Sequence, residues 1–380
     1  MRLCPRSLWL FLKSLNTMSP FFVAIFLFGL CLANAINFTS VYEWDQLDFV
    51  WPSNKNGSIG QLEQYFNSSE VYFRYMAVFE ERLFLSLDIN LGIPATLVWL
   101  PTSDTSTAPP KLAPFPSWDL HKYHICDSIQ WAKGMQVDTE GRLWVIDEGD
   151  SACPSKLWIF DLANNDTTER VHQFPETLVS HYYKKRFLSE LVLDKTPDDY
   201  LAYFADYQSE YLIVYSLKTN KSGPIKTPGV KWQSLAVSPL NREARQLWYI
   251  IRRSDAKELY SVSVSELKKA GESAVVKLIG AWPGMPYKMV IDSANVLYAG
   301  VFNKNYLSKW NISEPFLEQR FHEVATLRAE WPFSLALDAN DTLWVMERNE
   351  SGVNNKHRLL NAAVGARSYL FNQSTALPTL

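Results

Sequence analysis

Val137-Asp138-Thr139-Glu140-Gly141-Arg142-Leu143-Trp144-Val145-Ile146-Asp147 is the stretch whose reading decides the fold. It reads as the end of one apolar strand, a tight turn at Glu140-Gly141 and a buried second strand from Leu143 to Ile146. The wording recurs. Leu337-Asp338-Ala339-Asn340-Asp341-Thr342-Leu343-Trp344-Val345-Met346-Glu347 is nearly a copy, and Ile291-Asp292-Ser293-Ala294-Asn295-Val296-Leu297-Tyr298 is a weaker one. Looser versions centre on Gln246-Leu247-Trp248-Tyr249, Leu201-Ala202-Tyr203-Phe204 and Arg82-Leu83-Phe84-Leu85. Anchored on the residue before the aromatic, the copies fall at 83, 143, 202, 247, 297 and 343. Further strands follow the anchors, at Leu97–Leu100, Leu157–Phe160, Leu212–Tyr215 and Leu259–Val262. Short strands repeating every 40–60 or so residues are the mark of propeller blades. One such motif would fit any β protein, a sandwich or a two-domain β chain included. Six at this spacing predict an all-β, six-bladed propeller, closed into a single domain. The physical reason for repetition is burial: a lone four-stranded sheet cannot cover both faces, whereas stacked neighbours can, and closure leaves only short edges.

The 380 residues are 47% hydrophobic, enough for a large core, and carry a net charge of −3. With no basic stripe, nucleic acid is not an expected partner. Residues 1–35 read as a signal peptide: Arg2, Arg6 and Lys13 precede the apolar run from Phe21 to Ala33, and Ala33-Asn34-Ala35 is a small-residue cleavage site. Met18 offers an internal start. The run is short for a transmembrane helix, and neither a second long apolar run nor an anchoring tail is present, so no stable membrane anchor is expected. Residues 36–380 are then the secreted propeller. Cleavage leaves Cys126 and Cys153 of the four cysteines. Outside the cell such a pair is most simply a disulfide, the alternative being two free buried thiols. Nine Asn-x-Ser/Thr sequons begin at Asn37, Asn56, Asn67, Asn165, Asn220, Asn311, Asn340, Asn349 and Asn372, out of 21 asparagines. That exceeds chance several-fold and predicts an extracellular glycoprotein.

Outside the repeat, Val41–Trp51 alternates apolar and polar residues. It is expected to pair beside a C-terminal strand near Arg367–Phe371 and so complete the last blade. Gly57–Val71 and the proline-rich Pro101–Trp118 read as surface loops, and Ser180–Ser189 as one exposed turn. Glu266–Ala270 reads as a short helical turn.

The chain lacks Gly-x-Ser-x-Gly, His-Glu-x-x-His, P-loop and dinucleotide motifs, so no cofactor is expected and no catalytic residue is assigned. His121 and His124 read as surface-loop histidines rather than a metal pair, and Asp147-Glu148-Gly149-Asp150 as a solvated turn rather than a Ca²⁺ site. Propeller ligands sit at the mouth of the central channel, where inner strands begin and second strands end. That nominates Tyr75, Met135, Gln233, Ser234, Tyr287, Lys288, Phe333 and Ser334 from inner strands, and Glu148, Asp206, Arg252, Phe302, Asn303 and Glu347 from loops. The core subset for ligand binding is Tyr75, Glu148, Gln233, Arg252, Tyr287, Asn303, Phe333 and Glu347. Aromatic walls with one or two carboxylates suit a small aromatic amine. The plainer alternative is that Tyr287 and Phe333 only plug the channel.

The order of these segments resembles the Yellow/major royal jelly protein family. Trp44 with Leu47-Asp48-Phe49-Val50-Trp51-Pro52, Gly92-Ile93-Pro94-Ala95-Thr96-Leu97, Pro114-Phe115-Pro116-Ser117-Trp118, Cys126-Asp127-Ser128-Ile129, Arg142–Gly149, Cys153–Leu162 and Tyr203-Phe204-Ala205-Asp206 follow the family's sequence of blocks. The resemblance implies a secreted six-bladed propeller acting in cuticle pigmentation and the melanin pathway. It implies binding of aromatic amines or catechol derivatives, with dopachrome conversion, an isomerase-type reaction, and a non-catalytic cuticle role as alternatives. For dopachrome conversion, Glu148, Glu347 and Arg252 are the candidate acid–base and charge-stabilising groups. The chain departs from the family at two of its cysteines, where it has Glu140 and the run Lys195-Thr196-Pro197-Asp198. A later family cysteine is replaced by Lys309, and the segment between Ser216 and Gly229 is shorter than in typical members.

Overall fold

Six four-stranded antiparallel sheets make up the fold, each built from consecutive strands except the last. A computed structural model describes residues 36–53, 58–88, 92–103, 108–209, 211–227, 232–239, 246–251, 257–267, 274–302, 304–323, 333–349 and 356–371. Blade 1 comprises Phe73–Phe79, Arg82–Leu87, Leu97–Pro101 and Ala113–Pro114; blade 2 comprises Ala132–Val137, Arg142–Asp147, Lys156–Asp161 and Thr167–Gln173. Blade 3 runs through Leu188–Lys195, Tyr200–Asp206, Tyr211–Ser216 and Lys221–Lys226, and blade 4 through Trp232–Val237, Gln246–Ile251, Glu258–Ser263 and Val276–Ala281. Blade 5 holds Pro286–Ile291, Val296–Val301, Tyr306–Asn311 and Gln319–Glu323. Blade 6 holds Phe333–Leu337, Thr342–Asn349 and Lys356–Ala363, and takes its outer strand, Thr39–Trp44, from the start of the described chain. Each blade's first strand touches that of the next, and blade 6 touches blade 1, so the ring closes as expected. All six anchors lie on second strands.

The repeated Asp explains the repeat. Asp138 Oδ1 accepts from the backbone N–H of Glu140 (2.9 Å) and Arg142 (3.0 Å), while Oδ2 accepts from Arg142 Nε (2.7 Å) and Trp144 Nε1 (2.8 Å). Asp338 does the same with Asn340 N, Thr342 N and Trp344 Nε1, at 2.7, 3.0 and 2.9 Å. Asp292 binds Ala294 N, Val296 N and the Tyr298 hydroxyl. One buried carboxylate thus satisfies the turn's backbone donors and the polar handle of the buried aromatic at once, which is why an aromatic with an N–H or O–H recurs six residues on. Gly141 completes the blade 2 turn at φ 78°, where a side chain would be strained. In blade 4 Ser238 stands at this position and binds Gln246 N, and Trp248 Nε1 finds no partner among the described residues.

Several expectations are corrected. The terminal strand does close blade 6, but Thr39–Trp44 pairs with Lys356–Ala363, from Thr39 opposite Asn361 to Trp44 opposite His357. The Arg367–Phe371 segment crosses the channel instead. Ser368 bridges Asp292, Tyr369 N donates to Ile291 O, and the Tyr369 hydroxyl accepts from Leu193 N and has Leu193 O (2.7 Å) and Gln136 Oε1 (3.1 Å) as acceptors for its one proton. Tyr369 therefore spans from blade 5 to blades 2 and 3, barring the hairpin end of the channel. Within Gly57–Val71, Ser58–Tyr65 is a helix and Ser68–Glu70 a 3₁₀ turn capped by Asn67, so the segment is not simple loop. Ser180–Ser189 is not all exposed: Arg186 is buried and donates to the carbonyls of Ser180, His181, Asp150 and Cys153, and Leu188 and Ser189 already belong to blade 3. The proline-rich segment is not simply a surface loop: it buries Leu112 and Phe115 and supplies blade 1's outer strand, a position that tolerates the missing N–H of Pro114. The helical turn near Glu266 is Val264–Leu267. Cys126 and Cys153 form the disulfide, with Cα atoms 5.1 Å apart, tying the approach to blade 2's inner strand to the start of its third. The signal-peptide segment lies outside the described residues, and among the described residues no helix is long and apolar enough to cross a membrane.

Candidate functional site at the channel mouth

The inner strands share an irregularity where they begin. In blade 1 the register shifts between Phe73 and Tyr75, in blade 2 between Ala132 and Met135, and in blade 3 between Leu188 and Glu190. In blade 4 it shifts between Trp232 and Ser234, and in blade 5 between Pro286 and Lys288. A bulge adds a residue and re-aims its side chain. The residues skipped by these shifts include Arg74, Lys133, Ser189, Gln233 and Tyr287, and all five line one cavity of about 240 Å³ at the mouth. Lys133 is followed by Gly134, where an added Cβ would lie 2.7 Å from Glu190 Cα, so only glycine lets blades 2 and 3 approach here.

The aromatic wall is pinned from behind. Asp147, at the end of blade 2's second strand, accepts from Trp131 N at 2.9 Å. Asp206, at the matching place in blade 3, accepts from Phe187 N at 3.1 Å. Trp131 and Phe187 each immediately precede an inner strand, and both face the cavity with Tyr207, whose ring lies 4.1 Å from that of Phe187. Burial pushes the Asp147 carboxyl up from its ordinary value. On the opposite side, the Tyr287 hydroxyl accepts from Phe333 N at 2.6 Å and donates to Phe333 O. Burial also pushes the Tyr75 and Tyr287 phenols up, so both stay protonated.

Three cations stand in the wall. Arg74 pairs with Asp88 at 2.5 Å. Lys133 Nζ lies 3.3 Å from the centre of the Trp131 ring and 3.3 Å from Glu148 Oε2. Lys288 pairs with Glu190 and lies 5.1 Å from the Tyr75 ring centre. Lys288 also lines the narrower channel below, so the Lys288–Glu190 pair is the cavity's floor. Burial is the leading influence on both members of the blade 2 pair: it lowers Lys133 and raises Glu148 to about 7, in each case against the pull of the partner.

Of the nominated residues, Tyr75, Gln233, Tyr287, Lys288 and Phe333 line this cavity. Glu148 stands behind Lys133. Met135 lies lower in the channel, Ser234 is buried, and Ser334 donates to Arg74 O. Glu347 is set apart: it joins His322 of blade 5 to Arg358 of blade 6, accepting from Arg358 Nε at 2.9 Å and Nη2 at 2.6 Å. Asp206 is the backbone anchor just described, and Phe302 N donates to Met285 O. Arg252 and Asn303 lie outside the described residues. Arg74, Asp88, Trp131, Lys133, Phe187, Ser189 and Tyr207 were not nominated. Trp131 and Tyr207 each sit one residue outside a repeated strand, which is the one sequence signal that marks them. The Asp147–Asp150 run is not the solvated turn expected from the sequence. All four residues are buried, and Asp150 accepts from Ala152 N, Cys153 N and His124 Nδ1. His121, expected on a surface loop, has its Nε2 on Phe115 O, and burial lowers its pKa to about 4.

A family model described as major royal jelly protein matches residues 132–238, which hold blades 2 and 3, the inner strand of blade 4 and the mouth residues Lys133, Phe187, Tyr207 and Gln233. Protein yellow of Drosophila guanche is 26% identical over 353 residues, covering 80% of this chain and 60% of that protein. Protein yellow of Drosophila melanogaster is also 26% identical over 353 residues, with 80% and 63% covered. These matches support membership of the Yellow/major royal jelly protein family, as a divergent member. The chain spans about 60% of the length of the curated relatives it matches. Among solved structures, a luciferin-regenerating enzyme superposes with a TM-score of 0.50 at 12% identity, over 81% of this chain and 96% of that one, a likeness of fold alone. The divergence has a structural face. The two positions where Yellow-family cysteines are absent meet in space: Lys195 Nζ donates to Glu140 Oε1 at 3.0 Å and to Thr139 Oγ1 at 2.7 Å. A half-exposed ion pair thus links blades 2 and 3 where the family resemblance implies a covalent one.

Proposed function

We propose that this chain is a secreted Yellow-type glycoprotein whose channel mouth binds a small catechol-type aromatic, in service of cuticle pigmentation. The observation that carries the reading is the convergence of five bulged inner-strand residues on one aromatic-walled cavity. A bulge repeated at the same place in five blades is a device for aiming side chains, and here they share a target. At about 240 Å³ the cavity is smaller than the roughly 300–1,000 Å³ of drug-sized sites, so it suits one or two fused rings. Secretion is supported by the disulfide and by the exposed positions of Asn37, Asn67, Asn165, Asn220 and Asn340, each the acceptor of a sequon. Calorimetry of the purified protein against 4-methylcatechol and its derivatives tests the binding reading. Saturable heat that disappears in Trp131→Ala is expected, and no heat up to millimolar ligand would reject it. A mannose-lectin pulldown from secreting cells tests glycosylation.

A second reading, dopachrome conversion, is favoured by one observation. Glu148, held near a pKa of 7 beside the mouth, suits proton transfer at neutral pH. Loss of dopachrome's visible colour on incubation with the protein, abolished in Glu148→Gln, would establish it. An unchanged colour decay would leave binding without turnover.

A further inference from the structure

The charge in the mouth is arranged with its cations forward. Among the described wall residues, Arg74, Lys133 and Lys288 face three carboxylates, of which only Asp88 is itself in the wall. Glu148 and Glu190 stand behind their lysines. Asp88 is committed to Arg74 at 2.5 Å. An ammonium group entering this cavity would therefore meet cations before it met a carboxylate, and desolvated like charges repel strongly.

Lys133 is the cation whose carboxylate contact is the longest and least directed of the three. Its side chain is 5% exposed, and Glu148 Oε2 at 3.3 Å is an ion contact without a well-directed hydrogen bond, since that oxygen is left with no hydrogen-bond partner. An ammonium has three donors to place. Lys288, by contrast, donates directly to Glu190 Oε1, whose other oxygen accepts from Leu235 N. Lys133 is also the cation placed among the rings, with Trp131 on one side and Phe187 at 4.9 Å.

We propose that the mouth selects anionic aromatics, a catechol or indole ring bearing a carboxylate, with Lys133 receiving the carboxylate and Trp131, Phe187 and Tyr207 holding the ring. This rests on the mouth being the aromatic site and adds the sign of its ligand. The carboxylate completes the ammonium's hydrogen bonding in a water-poor site, where charge-assisted bonds are at their strongest.

Three ligands of one ring decide it: 3,4-dihydroxyphenylacetate, 4-methylcatechol and dopamine, titrated by calorimetry into the intact protein. The acid is expected to bind about tenfold or more tighter than the neutral ring and dopamine, the effect of one charge-assisted bond. Lys133→Met is expected to remove that margin, and Lys133→Arg to restore most of it. Thermal melts show whether each variant is folded, and the wild-type ligand series decides the question if Lys133→Met is not. Dopamine binding as tightly as the acid, or the neutral ring matching it, overturns the inference while leaving the aromatic site standing. No binding by any of the three overturns both.

Discussion

At the scale of single residues, the carboxylates of this protein are mostly structural, and position decides what each one does. Asp138 is buried and meets four donors, so Asp138→Ala strands the Arg142 guanidinium and the Trp144 indole N–H together. The expected loss is about 3–5 kcal/mol, the range for breaking a buried pair, read as a lowered midpoint in urea. Glu140, two residues on, is half-exposed and pairs with Lys195. Glu140→Gln should cost less than about 1 kcal/mol, since exposed pairs are worth little. Glu148 makes a pH prediction. Its folded pKa is raised by burial from 4.5 to about 7, so the folded state holds the proton more tightly than the unfolded chain does. The stability this provides is complete below pH 4.5 and is lost as pH rises through about 7. Denaturation midpoints across that interval should decline less steeply in Glu148→Gln than in the parent; an identical slope would refute the assignment. The Asp and aromatic of the repeat are visible in sequence because spacing carries them. Lys133 and Arg74 are not, because period-2 alternation cannot register the extra residue of a bulge.

At the scale of elements, the close passage of blades 2 and 3 and the disulfide beside it give the clearest expectations. Gly134→Ala would place a methyl 2.7 Å from Glu190 Cα, inside contact distance of backbone that cannot turn aside. Overpacking of this kind costs about 1–3 kcal/mol, and because Glu190 forms the cavity floor with Lys288, ligand affinity should fall along with the melting temperature. Removing the Cys126–Cys153 bond, which closes a separation of 27 residues, should cost about 2–4 kcal/mol by the chain-entropy argument. Urea melts of the Cys126→Ser/Cys153→Ser variant, taken beside the parent, measure it. Second and third strands were readable because their apolar runs are long and their turns regular. The helix Ser58–Tyr65 was not, since it is short and largely polar, and tertiary placement rather than pattern makes it helical. The blade 3 inner strand was partly hidden by the Lys184-Lys185-Arg186 cluster, whose last member is buried where basic residues are usually solvated.

For the molecule as a whole, the ring is closed by pairing an early strand with a late one, so blade 6, unlike the five built from consecutive strands, is incomplete until segments far apart in sequence have met. Such a long-range pairing is slow to form, and cooperative unfolding of the ring is the corresponding expectation. Tyr369 then sets how the interior exchanges with its surroundings. Because the segment carrying it lies across the hairpin end, bonded to blades on opposite sides, the described ring is a cup rather than a pipe. Whatever enters over Trp131 and Tyr207 must back out past them. A ligand bound as proposed would leave by the way it entered and would delay its successor for as long as it stayed.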